Sequence, residues 1–181
     1  DAAVITDGTS GSGAEDTTIT GTLKATDAEG LTDGSVFTVS TDPSNGSASI
    51  DAESGEWSYT PTANFNGSDA FTVTITDDCD GTTKQAIALT ITAVDDPAVI
   101  TGDISGSLTE DSDTSTATGS IAISDIDGDD NPSFSDLSST TSDNGYGSFS
   151  LSSGTWSYAL DNSNTTVNAL DAGDTLTDSF T

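Results

Sequence analysis

Phe71-Thr72-Val73-Thr74-Ile75-Thr76 alternates apolar and hydroxyl side chains without a break, and Ile87, Leu89 and Ile91 repeat the alternation with Thr90 and Thr92 between them. A period of two gives each segment one buried and one wet face, which is how a strand packed on one side reads. Working outward, Ile19, Leu23 and Ala25 mark an earlier strand, and Phe37 with Val39 another. Ala48 and Ile50 are placed to pair with Trp57 and Tyr59 across a hairpin turning through Asp51–Gly55. Asn45-Gly46 and Asn66-Gly67 are turn dipeptides. Counted from Ala3, the pattern is about seven short strands in ~95 residues with no amphipathic helix of useful length, the signature of a β-sandwich.

The chain then repeats itself. Ala3-Val4-Ile5-Thr6 returns as Ala98-Val99-Ile100-Thr101, and Glu15-Asp16 as Glu110-Asp111. Gly21-Thr22-Leu23 matches Gly119-Ser120-Ile121, Trp57-Ser58-Tyr59 matches Trp156-Ser157-Tyr158, and Ser68-Asp69-Ala70-Phe71 matches Thr177-Asp178-Ser179-Phe180. The spacing between copies grows from 95 to 109 residues along the chain, as loop insertions in a second copy produce. The second copy repeats the hairpin, with Phe149 and Leu151 against Trp156 and Tyr158 and a turn at Ser152–Gly154. Val167 and Leu170 are spaced for one helical turn. The reading is all-β: two tandem Ig/cadherin-like Greek-key sandwiches, residues 1–96 and 97–181. Because Phe180-Thr181 aligns with Phe71-Thr72, the second sandwich is expected to lack its last strands.

Composition narrows the function. Asp and Glu number 31 against 2 Lys and Arg, a formal charge of −29. Such a chain has almost nothing with which to displace phosphate counterions, so nucleic acid is excluded as a partner. Docking on an anionic membrane is equally disfavoured, and no apolar run is long enough to span a bilayer. Leu, Ile, Val and Phe make up only 33 of 181 residues, so the core is thin and charge repulsion within it is large. Divalent cations would relieve that repulsion. The lone Cys79 permits no internal disulfide. The absence of an initial Met and of a leader leads us to expect a piece of a longer secreted, cell-surface protein. With no His, the usual general base is missing, and no lysine or cysteine adjoins a catalytic partner, so an enzyme is not expected.

The acids gather at strand ends. In an antiparallel sandwich the loops before the second and sixth strands share one pole, which places Glu15, Asp16 and Asp69 beside the linker Asp95-Asp96-Pro97. Asp27, Glu29, Asp77 and Asp78 fall at the opposite pole. In the second copy, Asp125, Asp127, Asp129 and Asp130 face the same linker. Six to eight hard oxygen ligands are what Ca²⁺ requires. Against this stands the plainer reading that these acids form a solvated face that keeps the protein soluble. Asp125, Asp127, Asp129 and Asp136 have EF-hand spacing, but Asp130 stands where that loop needs Gly, and no helices flank it.

Asp27-Ala28-Glu29-Gly30, Tyr59-Thr60-Pro61 with Asn64-Phe65-Asn66-Gly67-Ser68-Asp69-Ala70-Phe71, and Val94-Asp95-Asp96-Pro97 resemble bacterial cadherin-like tandem repeats. Gly147-Ser148-Phe149 to Trp156-Ser157-Tyr158, with Gly173-Asp174-Thr175-Leu176-Thr177-Asp178-Ser179-Phe180, resembles the related VCBS-type repeat. Such repeats are similar to those in the extender regions of RTX-type surface adhesins and biofilm proteins. The resemblance implies calcium held between domains by Glu15, Asp69, Asp95, Asp96, Asp125 and Asp127, stiffening the joint. It also implies neighbouring repeats of the same protein as the first partners, and homophilic adhesion as a further role. The linker lacks the Asn-Asp-Asn core of animal cadherins, which leaves the number of ions per joint open. The rival from another class is a carbohydrate-binding accessory module of a polysaccharide-degrading enzyme, which would need Trp57 or Trp156 exposed to stack on a sugar.

Overall fold

In the computed structural model, which describes residues 2–28, 30–32, 36–127 and 131–181, the alternating runs form strands as their spacing dictates. The chain divides into two units, Asp1–Asp95 and Asp96–Thr181, one residue from the boundary expected after Asp96.

The first unit contains β1 (Val4–Asp7), β2 (Ser10–Ala14), β3 (Ile19–Thr22), β4 (Lys24–Thr26), β5 (Phe37–Thr41), β6 (Gly46–Ile50), β7 (Glu56–Pro61), β8 (Gly67–Thr76) and β9 (Thr82–Thr92). The segments outnumber the expected strands because the first two strands are each broken. Gly8 separates β1 from β2 at a φ of 79°, and a Cβ there would fall 1.8 Å from the Thr22 carbonyl oxygen, so only glycine fits. β1 pairs antiparallel with β4, whereas β2 crosses to the other layer and runs parallel to β9. One layer is therefore β3-β7-β6 with the β1–β4 pair, and the other is β2-β9-β8-β5. The hairpin register is the one the sequence dictates, Ala48 opposite Tyr59 and Ile50 opposite Trp57.

Between the layers lies the core. Ile19, Leu23, Trp57 and Tyr59 face Phe37, Phe71, Val73, Ile75, Ile87, Leu89 and Ile91, all buried. Trp57 meets Phe71 edge-on, with ring centroids 5.7 Å apart. The indole lies on two glycines: a Cβ on Gly21 would sit 2.3 Å from Trp57 Cζ2, and one on Gly11 2.5 Å from Cη2. Glycine here makes room for the largest core side chain.

The second unit is one sheet. β10 (Val99–Gly102), β11 (Thr116–Ser124), β12 (Leu137–Thr141), β13 (Gly147–Ser152) and β14 (Thr155–Leu160) run in the order β10-β11-β14-β13-β12. Phe149 pairs with Tyr158 and Leu151 with Trp156, through a turn carrying Ser153 and Gly154 at φ 47° and 79°. A single 3₁₀ turn, Val167–Ala169, buries Val167. The second layer is not formed among the described residues. One consequence escaped the sequence. β5 pairs with β8 in the first unit, whereas its counterpart β12 pairs with β13.

Candidate functional site

Asp69 lies opposite Leu89 in the β8–β9 ladder and shares the inward face with Phe71. Its carboxylate therefore points between the layers and meets what is there. Oδ1 accepts from the amides of Ser44 (3.0 Å) and Ala70 (2.8 Å), while Oδ2 accepts from the Asn45 amide (2.8 Å) and the Tyr59 hydroxyl (3.0 Å). The Tyr59 hydroxyl is also 3.1 Å from the Asn45 carbonyl oxygen. This is a clasp joining β8 of one layer to β7 of the other. Burial pushes the Asp69 carboxyl up, but the four donors outweigh it and hold it below the usual carboxylate range. Tyr59 is pushed up to about 12 by burial and by the Asp69 charge.

The second unit repeats the carboxylate–tyrosine clasp with a different set of further donors. Asp178 accepts from the Ser142 hydroxyl (2.5 Å), the amides of Asn144 (3.0 Å), Tyr146 (3.2 Å) and Ser179 (3.0 Å), and the Tyr158 hydroxyl (2.8 Å). Burial raises the Asp178 carboxyl, and these donors again bring it below its ordinary value. Tyr158 is pushed up to about 12 by burial and by Asp178. Sequence reasoning took Asp69 as a calcium ligand and passed over Asp178. The overlooked signal was parity: Asp69 sits two residues before Phe71, on the face that goes inside. Each oxygen of Asp69 accepts two hydrogen bonds from the protein, so the side chain is already satisfied as a structural clasp.

Glu15 is different. It is only 2% exposed and precedes Asp16, whose backbone is left-handed at φ 56°; Asp111 takes the same conformation, φ 54°, after Glu110. Asp tolerates that region through its short polar side chain, and the Asp16 carboxylate accepts the Asn64 amide at 3.0 Å. The turn places the Glu15 amide on the Thr92 carbonyl (2.9 Å) and Glu15 Oε1 on the Val94 amide (2.6 Å). Glu15 thus grips the chain as it leaves β9. Within the second unit, Asp127 Oδ2 accepts the Asp96 amide at 2.6 Å, and Asp125 Oδ1 accepts the Asp127 amide at 2.9 Å. Asp95, between the two gripped amides, is exposed.

At the other pole of the first unit the acids serve turns. Buried Asp77 accepts the amides of Cys79 (2.9 Å) and Gly81 (2.8 Å) on one oxygen, closing the β8–β9 turn. Asp78 accepts the Thr32 amide (2.7 Å) and hydroxyl (2.8 Å), which ties in the loop after β4. Asp27 is half-buried. Glu29, and Asp129 and Asp130 of the expected acidic loop, lie outside the described residues.

A calcium site must reconcile with this geometry. Among the described residues no group of three or more acidic, His or Cys side chains is drawn together as a metal cage. In donor chemistry, Glu15 and Asp95 of the first unit and Asp125 and Asp127 of the second carry the hard carboxylate oxygens that calcium takes; one Glu15 oxygen accepts the Val94 amide within its unit, and one Asp127 oxygen accepts the Asp96 amide within its own. The tryptophans settle a different question. Trp57 is 2% and Trp156 8% exposed, with indole N–H groups donated to the carbonyls of Gly8 and Asp103, so neither offers a sugar platform.

Comparison with known proteins bears on the fold. Residues 1–90 match the family described as Bacterial Ig domain. Among solved structures, protocadherin gamma B2 extracellular cadherin domains 3–6 are 17% identical over 88% of this chain, with a TM-score of 0.42. Human desmocollin-1 ectodomain is 14% identical over 88% of the chain, with a TM-score of 0.40. The titin domains z1z2, solved with telethonin, are 13% identical over 87% of this chain and 80% of that one, with a TM-score of 0.37. The chain spans 38% of the protocadherin structure and 33% of the desmocollin structure. No curated protein sequence matches, and no described helix is long and apolar enough to cross a membrane.

Proposed function

Taking the first unit as a bacterial Ig-like repeat, we propose that this protein is a non-catalytic extender module of a secreted surface adhesin, stiffened at its linker by calcium. The observation that carries the reading is the pair of carboxylates on the linker backbone: Glu15 holds the Val94 amide and Asp127 the Asp96 amide, two residues further on. Each unit thus holds its own end of the linker, and Asp95, in sequence between the two held amides, is exposed. Glu15, Asp95, Asp125 and Asp127 are the residues assigned to the ion; Asp96 contributes its backbone. Calcium would supply charge neutralisation in a chain of formal charge −29. An adhesive role, in which repeats of separate molecules associate when calcium is present, belongs to the same reading. The RTX and VCBS context rests on the sequence resemblance.

At free calcium ~100-fold above the dissociation constant, one site adds about 2.7 kcal/mol to folded stability. For a unit of roughly 95 residues that raises the melting temperature by about 10–20 °C. The test compares melting and small-angle scattering of the wild type and Glu15→Gln in calcium and in chelator. Glu15→Gln keeps a carbonyl for Val94 but loses the charge, so it should melt near wild type in chelator and forfeit most of the calcium gain. Superimposable wild-type curves in calcium and chelator would overturn the reading.

A further inference from the structure

β6 is the outer strand of its layer in the first unit, paired with β7 along one side and with no strand along the other among the described residues. Hydrogen bonds at its two ends fix which groups face the open side. The Asp51 amide donates to the Glu56 carbonyl (2.8 Å) and the Thr62 amide to the Asn45 carbonyl (2.8 Å), so the odd-numbered residues from 45 to 51 are the ones that bond to β7. Gly46, Ala48 and Ile50 therefore turn their N–H and C=O groups to the open side. That stretch is closed at both ends: Asp69 holds the amides of Ser44 and Asn45 before it, and the Phe37 amide donates to the Ala52 carbonyl (3.0 Å) beyond it.

A bare edge is a template for another strand, and proteins blunt such edges with charge, bulges, glycine or shortness. The other outer strands of this unit carry these devices. β5 slips register between Val39 and Thr41, and β1 slips between Ile5 and Asp7 and ends on an acid. β2 and β3 carry Gly11 and Gly21 beneath the Trp57 ring, and β4 is three residues long and opens with Lys24. β6 keeps an unbroken register over all five residues and has neither charge nor proline. Its flank also leaves the core thinly covered, since Ala48 and Ile50, with Val39 on neighbouring β5, pack on the core yet are only half-buried.

Charge says which strand fits. From Pro43 to Ile50 there is no charged residue, in a chain with 31 acids. A basic partner finds no carboxylate along this stretch, whereas another copy of the chain, repelled elsewhere by its own charge, meets no like charge. β6 also matches itself. About a two-fold axis through Ala48, Ala48 faces Ala48, Gly46 faces Ile50 and Ser47 faces Ser49, so every outward backbone group meets an outward group. Asp51 then faces Asn45 and not a second acid.

We propose that β6 is a homophilic contact, pairing antiparallel with β6 of a second copy and joining two three-stranded layers into one sheet. This gives the adhesive role above its contact, and rests on that reading for two copies to meet. The pairing itself takes no ion; calcium enters only by screening the charge that keeps the copies apart. One such edge per copy closes the assembly at a dimer.

The test is sedimentation of the full chain over a concentration series, in calcium and in chelator, at ~0.5 M salt to screen the charge. Amide exchange is read at Gly46, Ala48 and Ile50. The protein should pass from monomer to dimer in both media and stop there, with exchange at those amides slowing roughly tenfold or more as the dimer fills. Ala48→Pro removes an N–H that β7 does not use, so it should keep the fold and abolish the dimer. Should that variant fail to fold, S47D/S49D answers instead. Both side chains are exposed, and the pairing sets each new charge against another, so dissociation should weaken the dimer about tenfold or more. Three results would overturn the proposal: a monomer up to ~1 mM in both media, a dimer that the folded variants retain, or a dimer that forms only in calcium, which would place the contact at an ion. Loss of the calcium gain in melting temperature defeats the linker reading alone and leaves this contact standing.

Discussion

Replacing Tyr59 by Phe removes one oxygen from the clasp, and the structure sets what that costs. Tyr59 is 0% exposed, so no water takes the place of the lost hydroxyl. The hydroxyl lies 3.0 Å from a charged oxygen, and a hydrogen bond to a charged partner contributes about 1.5–3 kcal/mol. Asp69 keeps three amide donors after the change, which puts the expected loss near 2 kcal/mol. In a unit of roughly 95 residues, each kcal/mol moves the melting temperature by about 4–8 °C, so its transition should fall by about 8–16 °C. Asp69→Asn should cost about as much. Each carboxylate oxygen faces two donors, so an amide nitrogen in either place confronts at least one N–H or O–H group. The double variant should lose less than the sum, with a coupling of about 1.5 kcal/mol. Calorimetry of the four proteins, in calcium and in chelator, separates the clasp from a metal site. The clasp gives equal losses in both media. Additivity within ~0.3 kcal/mol, or an Asp69→Asn protein that has lost only its calcium response, would refute the reasoning.

The tryptophan seats give a graded prediction. Gly21→Ala thrusts a methyl group to 2.3 Å from an indole enclosed by Gly11 and Phe71 and should cost about 3 kcal/mol, whereas Gly119→Ala meets Trp156 beside an open groove and should cost about 1 kcal/mol. Equal losses, measured by urea unfolding, would show that the groove gives Trp156 no room to shift. The titrating groups predict two edges to the pH range. Asp69 and Asp178 have lowered folded-state values, so their contribution is full above the unfolded value of about 3.9 and is lost as pH falls below it. Tyr59 and Tyr158 are raised to about 12, so the fold favours their neutral form, and that contribution disappears as pH climbs from about 10 to about 12. Melting temperature against pH should fall at both ends, and Tyr59→Phe should flatten the alkaline fall of the first unit.

Strand identity and hairpin register were legible because both follow from parity. Ile50 could only face Trp57 if Ala48 faced Tyr59, and Asp51–Gly55 left no other turn. The division of the first strand into β1 and β2 was hidden, because it depends on Gly8 meeting Thr22, a contact between distant stretches. The role of the acids was legible only as a class. Composition shows that carboxylates crowd the strand ends, but it does not show which of them are already saturated. Asp69 and Asp77 look like Glu15 on paper; Asp69 takes four donors and Asp77 organises a turn, while Glu15 holds a linker amide. The change of partner by β12 had no local signal at all, since it depends on which strand is there to compete for its edge.

The clasp recurs in two units that otherwise differ in their covering layers, and a thin core explains why. With few large aliphatic residues, the layers have little apolar area to hold them in register, so slippage between them is opposed weakly by burial. A carboxylate that must find a tyrosine hydroxyl and two or more loop amides fixes both the spacing and the lateral position of β7 and β8 at once. It achieves this with a charge already abundant in the chain, and a lost donor is penalised because the site is largely closed to water. The same acid type therefore does two jobs that obey opposite rules. Inside, at Asp69 and Asp178, negative charge is stabilised by donors from the protein itself and should be indifferent to calcium. Near the linker, Glu15 in the first unit and Asp127 in the second each place one oxygen on a backbone amide, and under the proposed function their remaining charge is what a cation would neutralise.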